Sequence, residues 1–350
     1  MSKTARVASL DVVRGLAIVC MLIAHGMPFF WTTGVPEGLA WLTGAINDVA
    51  SPLFGLAMGA AAALVWSRPG LEPARRVLTD TARGIIVFAL GILLVELDTW
   101  VAIVLHVLGV LMVIGIPIAA LGGAAIRSGS RRPTLLGLLA TVTVASFVLA
   151  PWITRVLAPT EQRRPNGALG GWGEIWVALM AGHSYRAVSL LPFFALGALL
   201  AATGWLSRPR HLVLRILPIA VVLVIGYVAT GGFGGMNLSG DHVDQARDLT
   251  LVLMATVLAG LLVAWRPVRG LGRIVALLGT VALSLYALQL LILRPLMEVG
   301  AWQTSVFWGW VCMLTLVLVP SAVLIGWRRF LGPGPLERMV ALATGKGHAS

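Results

Sequence analysis

Charge is what this sequence has least of. Only 11% of its 350 residues are charged, against about 25% in a typical soluble domain, and that shortage excludes an ordinary water-soluble enzyme. Cysteine is nearly absent too: Cys20 and Cys312 both fall within apolar stretches, where each reads as a small hydrophobe and not as half of a disulfide or a metal ligand. Acids are scarce, 14 against 26 Lys and Arg. The resulting charge of +12 is no nucleic-acid footprint, because the basic residues are scattered through short gaps without zinc-finger spacing, a helix-turn-helix pattern or an aromatic-rich basic patch. No cleavable signal is expected either, since Asp11 and Arg14 interrupt the first apolar run.

What is present is apolar length. Stretches such as Gly15 to Pro36, Val49 to Ser67, Pro133 to Thr154, Ala187 to Ser207 and Val299 to Trp327 are each long enough to cross a hydrocarbon core of about 30 Å. Reading from one charged gap to the next predicts an all-α, polytopic membrane protein of ten helices, at 10–31, 49–67, 83–97, 100–122, 134–157, 188–205, 212–230, 249–265, 276–294 and 305–327. The chain reads as a single transmembrane domain over 1–350, with N-terminal helices in 1–205 and C-terminal helices in 212–340. If the N-terminus is cytoplasmic, the basic residues left outside are Arg155, Arg163, Arg164, Arg186, Arg247 and Arg294, and the positive-inside rule places both termini in the cytoplasm. The segment Gly171 to Tyr185, with Trp172 and Trp176, is expected along the outer interface.

The first helix carries three polar residues that are expensive in a membrane: Asp11, Arg14 and His25. Asp11 and Arg14 are three apart and share a helical face near the cytoplasmic end. Arg14 and His25 are eleven apart, about 16 Å of rise, and lie on nearly the same stripe. Histidine's ordinary pKa allows proton exchange near neutrality, and a neutral imidazole at that depth is able to take a proton from an attacking hydroxyl or amine. The spacing alone leaves a structural reading open: His25 as a helix-to-helix hydrogen bond, and the Asp-Arg pair as a headgroup anchor.

The stretch RVASLDVVRGLAIVCMLIAHG, Arg6 to Gly26, resembles the first helix of the transmembrane acyltransferases. These comprise the acyltransferase-3 family, the heparan-alpha-glucosaminide N-acetyltransferase catalytic-domain family and the bacterial domain-of-unknown-function family 418. In acyltransferase-3 members this helix has Arg, ten residues, then His, the spacing of Arg14 and His25. Ser51-Pro52-Leu53-Phe54 through Gly59 resembles the Pro-x-Phe-x-x-x-x-Gly second helix, and Leu190-Leu191-Pro192-Phe193-Phe194 to Gly197 the shared sixth helix. GTVALSLYALQLL at Gly279 to Leu291 and GPLE at Gly334 to Glu337 are similar to motifs of the bacterial family. Ser284 replaces its usual Thr, Gln289 stands where some relatives have His, and His183-Ser184-Tyr185-Arg186 replaces a Gly-x-Tyr-Pro turn.

The resemblance implies an acyl-CoA donor, acetyl-CoA first among them, on the cytoplasmic side and a glycan or lipid-linked sugar outside, with no metal and a plasma-membrane location. Arg14, Arg75, Arg76 and Arg83 then become candidates for the CoA phosphates, which guanidinium groups pair bidentately, although each also reads as an ordinary positive-inside residue. Asp11, Arg14 and His25 are the catalytic candidates, with His25 as general base or as acyl-accepting nucleophile. One conduit is expected to lead from the cytosol past Arg14 to His25. Tyr286, Gln289, Glu96 and Asp98 are candidates for the acceptor side, each weighed against a plain helix-helix bond or a solvated interface acid, and His106 for the conduit. His183, Asp241, His242 and Asp244 lack metal-ligand spacing and read as loop residues. The partners expected are the bilayer, acyl-CoA and the acceptor, with no nucleic acid; self-association stays open. A transporter or flippase is the competing class, expected to show inverted repeats and broken helices, neither of which is evident in the sequence. A scaffold is disfavoured by the cost of Arg14 and His25 in the bilayer.

Overall fold

In a computed structural model, residues 7–34, 37–70, 72–162, 179–180, 186–229 and 240–345 are described. Thirteen α-helices can be followed along them: α1 Ala8–Gly26, α2 Glu37–Trp66, α3 Pro73–Val95, α4 Leu105–Ile114, α5 Ile116–Arg127, α6 Arg132–Gln162, α7 Ala187–Thr203, α8 Pro209–Ala229, α9 His242–Ala264, α10 Arg269–Gly279, α11 Ala282–Val299, α12 Val306–Phe330 and α13 Pro335–Ala343. No strand occurs among the described residues; each helix satisfies its own backbone polar groups, as a lipid-facing segment outside a closed barrel must. Eight helices are long and apolar enough to span a membrane, α4 with α5 forms a bent ninth, and α7 is a shorter apolar helix. Each of the ten apolar stretches read from the sequence thus has a helical counterpart. Of the Gly171–Tyr185 segment only residues 179–180 are described.

Burial separates the helices into centre and rim. More than half of the α1 and α2 windows is buried, 61% and 67%, against 17% to 22% for α3, α6 and α8, so α1 and α2 are the core and the others face lipid. Helix α7 is shorter and largely surrounded by protein: eleven of its 17 residues are buried, Phe193 and Phe194 among them. Its contact with α2 is backbone to backbone. A Cβ on Gly59 would meet the Phe194 carbonyl, and one on Gly197 the Leu56 carbonyl, both under 2 Å. Small residues at such a crossing let membrane helices associate closely, which gives the Gly59 and Gly197 motifs a packing reason. The same device joins α1 to α10, where Gly15 lies against the Val275 carbonyl and Gly279 against that of Asp11.

Several boundaries differ from the sequence reading: α2 starts at Glu37 instead of 49, α9 at His242 instead of 249, and the expected 276–294 helix is divided between α10 and α11. α3 begins at Pro73, in the first turn after an extended Glu72, ten residues before the expected start. Proline suits that position because its missing N–H has no intrahelical partner there, and the charged first turns had hidden the helix from a hydropathy reading. The fourth span is broken at Gly115, with 56° between its halves and Pro117 in the first turn of α5. The Phe194 ring sits against Gly115, where a Cβ would fall 2.6 Å from it.

Candidate functional site

Helix α1 enters from the Val7 end with Asp11 and Arg14 at its start, and their charged groups lie 3.8 Å apart. Both line a cavity of about 730 Å³ together with Arg68, Asp80 and Arg83, the inner one in the orientation that the positive-inside rule gives. Arg83, on the α3 stretch that the sequence had placed at a helix start, is half-buried and lies 4.0 Å from Asp80. Three arginines and two carboxylates at one mouth leave a net positive surface suited to an anionic ligand. Arg75 is exposed and lines none of the cavities, while Arg76 is buried beside Trp66 in a smaller one.

His25 lies at the other end of α1, buried to 8% exposure, and lines a separate outer cavity of about 560 Å³. Its Nδ1 meets the Gln289 side-chain nitrogen from α11. Tyr286, one turn earlier on that helix, presents its ring edge-on at 6.1 Å from the imidazole. The Tyr286 hydroxyl accepts from the Val104 N–H at 3.3 Å, and the Trp100 indole donates to the His25 carbonyl at 3.1 Å. Neither Tyr286 nor Gln289 lines a cavity. They contact the imidazole and the chain before α4, the helix-helix bonding that the sequence reading weighed against an acceptor-side role.

With Nδ1 engaged, Nε2 is the ring atom left for the cavity. In the observed orientation the Gln289 amide donates to Nδ1, so a neutral ring carries its proton on Nε2, and the Gln289 carbonyl oxygen is buried without a partner. Turning the amide over presents that oxygen to Nδ1–H instead and frees the Nε2 lone pair, with the same heavy-atom outline. Gln289 therefore decides which tautomer His25 adopts.

Polar and apolar groups share the rest of the outer cavity. Asn47, Asp48 and Ser51 come from α2, Asp244 and Asp248 from α9, and Arg186 and Ser189 from the start of α7, with Trp31 and Trp100 at its border. Asp48 is ion-paired to Arg247, and Asp244 accepts from the Gly240 N–H at 2.6 Å. The sequence reading missed Asp48 and Asp248 and set Asp244 aside as a loop acid; about 175 residues of chain separate α2 from α9, and no local pattern announces the meeting. The acids it offered instead lie elsewhere. Glu96 is exposed, and Asp98, 94% exposed, pairs with Arg294 at 3.4 Å. Neither lines a cavity, so both are solvated acids at the end of α3. His106 packs its backbone against Gly91 of α3 and lines neither cavity. No grouping able to hold a metal occurs among the described residues, and His183 lies outside them.

The expected single conduit is two half-cavities that share no lining residue. Along α2 the outer one ends at Pro52 and the inner begins at Met58; along α7 the corresponding residues are Leu190 and Phe194. At 1.5 Å per residue the partition is about 6–9 Å thick. Ile18, Leu22, Leu53 and Phe193 fill that level, each at 0% exposure.

Residues 6–163 match the family model described as heparan-alpha-glucosaminide N-acetyltransferase, catalytic. The matched stretch runs through α1 to α6 and contains His25, Arg14 and the arginines of the inner cavity, so it supports the transmembrane acyltransferase resemblance carried by the motifs of α1 and α2. No curated protein matches the chain.

Proposed function

We propose that this membrane protein is an acyltransferase that takes an acyl group, acetyl by preference, from acyl-CoA in the inner cavity and passes it to a hydroxyl or amine in the outer cavity. One observation carries the reading: a single helix, α1, ends in the basic cavity at Arg14 and in the polar cavity at His25, so both substrates meet one rigid element. Arg14, Arg68 and Arg83 suit the phosphates of the donor. The outer cavity offers carboxylates and a serine to sugar hydroxyls and two indole faces to the apolar side of a sugar ring. The name of the matched family makes a glucosaminide the first acceptor to try.

For direct transfer, with the Gln289 amide turned so that its oxygen accepts from Nδ1–H, His25 Nε2 accepts the proton of the acceptor hydroxyl or amine while its oxygen or nitrogen attacks the thioester carbonyl, and the thiolate leaves with CoA. In a two-step variant the imidazole attacks first and carries the acyl group to the acceptor. Both routes require the thioester to pass the partition between the cavities, so Phe193 and Phe194 have to yield during the cycle. The orientation with Arg14 and both termini in the cytoplasm rests on the positive-inside rule.

The broken span at Gly115 favours a second reading, transport, because discontinuous helices are a feature of transporters. Acetyl-CoA titrated into the purified protein separates the two. Acyl transfer predicts binding that Arg14→Ala weakens and His25→Ala preserves, with labelled acetate delivered to glucosamine only by the wild type. Transport predicts no acetyl delivery by any of the three proteins.

A further inference from the structure

Beside the two substrate cavities lies a third, smaller space. It is about 180 Å³, bounded by Trp66, Arg68, Pro69, Gly70, Pro73, Arg76 and Arg127, at the end of the bundle where α2 finishes and α3 begins. Three guanidinium groups and no carboxylate line it. Arg76 is only 4% exposed, and its side chain lies 5.5 Å over the Trp66 ring. One of its donors reaches the Arg68 carbonyl at 3.0 Å, while its buried Nε–H has no partner. Arg127 donates to the Trp66 carbonyl from one nitrogen. Asp80 is the acid whose field reaches Arg76, and its carboxylate is already taken by the Trp66 indole at 2.8 Å and by Arg83.

A buried N–H left unpaired is costly, and like charges gathered without a counter-charge add to the cost. An anion with several acceptor oxygens removes both, since guanidinium groups pair with phosphate oxygens through two parallel hydrogen bonds. The volume of about 180 Å³ is enough for a phosphate group. We infer that Arg68, Arg76 and Arg127 form a binding site for a single phosphate group, seated beside the Trp66 ring at the cytoplasmic headgroup level. Two sources carry that chemistry. Arg68 also lines the inner cavity, so a phosphate of the nucleotide donor is within the site's neighbourhood, and this source rests on the acyltransferase reading. An anionic phospholipid headgroup reaches the same level from the bilayer and does not depend on it.

The test is equilibrium binding of radiolabelled inorganic phosphate to the full chain in phosphatidylcholine nanodiscs. Arg127 is exposed and lines only this space, so Arg127→Gln keeps the fold and leaves the inner cavity intact, where Arg76→Gln risks the fold and Arg68→Gln alters both spaces. Saturable binding is expected in the wild type, weakened about tenfold or more in Arg127→Gln and by a smaller amount in Arg127→Lys, which keeps charge but loses the fork. Two further arms identify the source: a preference for CoA over 3′-dephospho-CoA, or retention of phosphatidylglycerol in native mass spectra, lost in Arg127→Gln. Phosphate binding that is absent from the wild type, or equal in wild type and Arg127→Gln, overturns the site. Acetyl transfer measured on the same preparations keeps the two readings apart: transfer with unaltered phosphate binding rejects only the site, and phosphate binding without transfer rejects only the enzyme.

Discussion

His25 is the residue on which the chemistry depends, and its environment divides the two ring nitrogens between a fixed partner and a cavity. Replacing it by alanine is expected to lower transfer by about 10²-fold or more, the usual contribution of a positioned general base, with acetyl-CoA affinity unchanged by titration calorimetry. Gln289 acts through His25 as a positioning residue, so its variants report on the tautomer. Gln289→Glu keeps an acceptor for Nδ1–H and is expected to retain most of kcat, whereas Gln289→Leu is expected to lose about tenfold or more with KM unchanged. A serine-protease triad with the wrong tautomer loses about 10⁴. Equal losses in the Glu and Leu variants at equal folding contradict that role. From the sequence, His25 stood out by its cost in a membrane span, and Gln289 by its place in a motif. Their pairing, 264 residues apart, was not legible because no local period connects α1 with α11.

At the scale of elements, the motifs at the two ends of the chain prove to serve the geometry of α1. Glu337, from the GPLE motif at the start of α13, accepts hydrogen bonds from the Leu283 N–H at 2.8 Å and the Ser284 N–H at 3.2 Å, and from the Ser284 hydroxyl. Those donors belong to the first turn of α11, whose N–H groups otherwise lack partners; the same helix carries Tyr286 and Gln289. Glu337→Ala is expected to cost about 1–3 kcal/mol of stability and to lower activity through Gln289, checked by thermal unfolding in detergent beside the transfer rate. The crossing of α2 with α7 gives a second check. Gly59→Ala forces a Cβ into the Phe194 backbone and is expected to destabilise by about 1–3 kcal/mol, while Gly137→Ala, with nothing within 4 Å, is expected to be neutral or mildly stabilising. The existence of these helices was plain from apolar length. The start of α3 and the break at Gly115 were not, because hydropathy averages over charged first turns and cannot tell a bent span from a straight one.

The whole molecule is two opposed half-cavities on a common central helix, closed from one another by packed side chains. Composition alone exposed the membrane class, and charge distribution supplied an orientation, but the partition depends on which side chains of α1, α2 and α7 meet at one level. With Cys20 and Cys312 replaced by alanine, Arg131→Cys is expected to react with an impermeant maleimide only from the cytoplasmic side, and Gln303→Cys only from outside. The reverse pattern would exchange the donor and acceptor sides. The central claim, acyl transfer across the bilayer by His25, is tested most directly in inside-out membrane vesicles from cells overproducing the chain, given acetyl-labelled acetyl-CoA on their exposed cytoplasmic face. The prediction is label in the lumenal glycan and lipid-linked sugar fraction with the wild type, lost with His25→Ala at equal protein level. Equal lumenal label from both proteins, or none from the wild type, would contradict it.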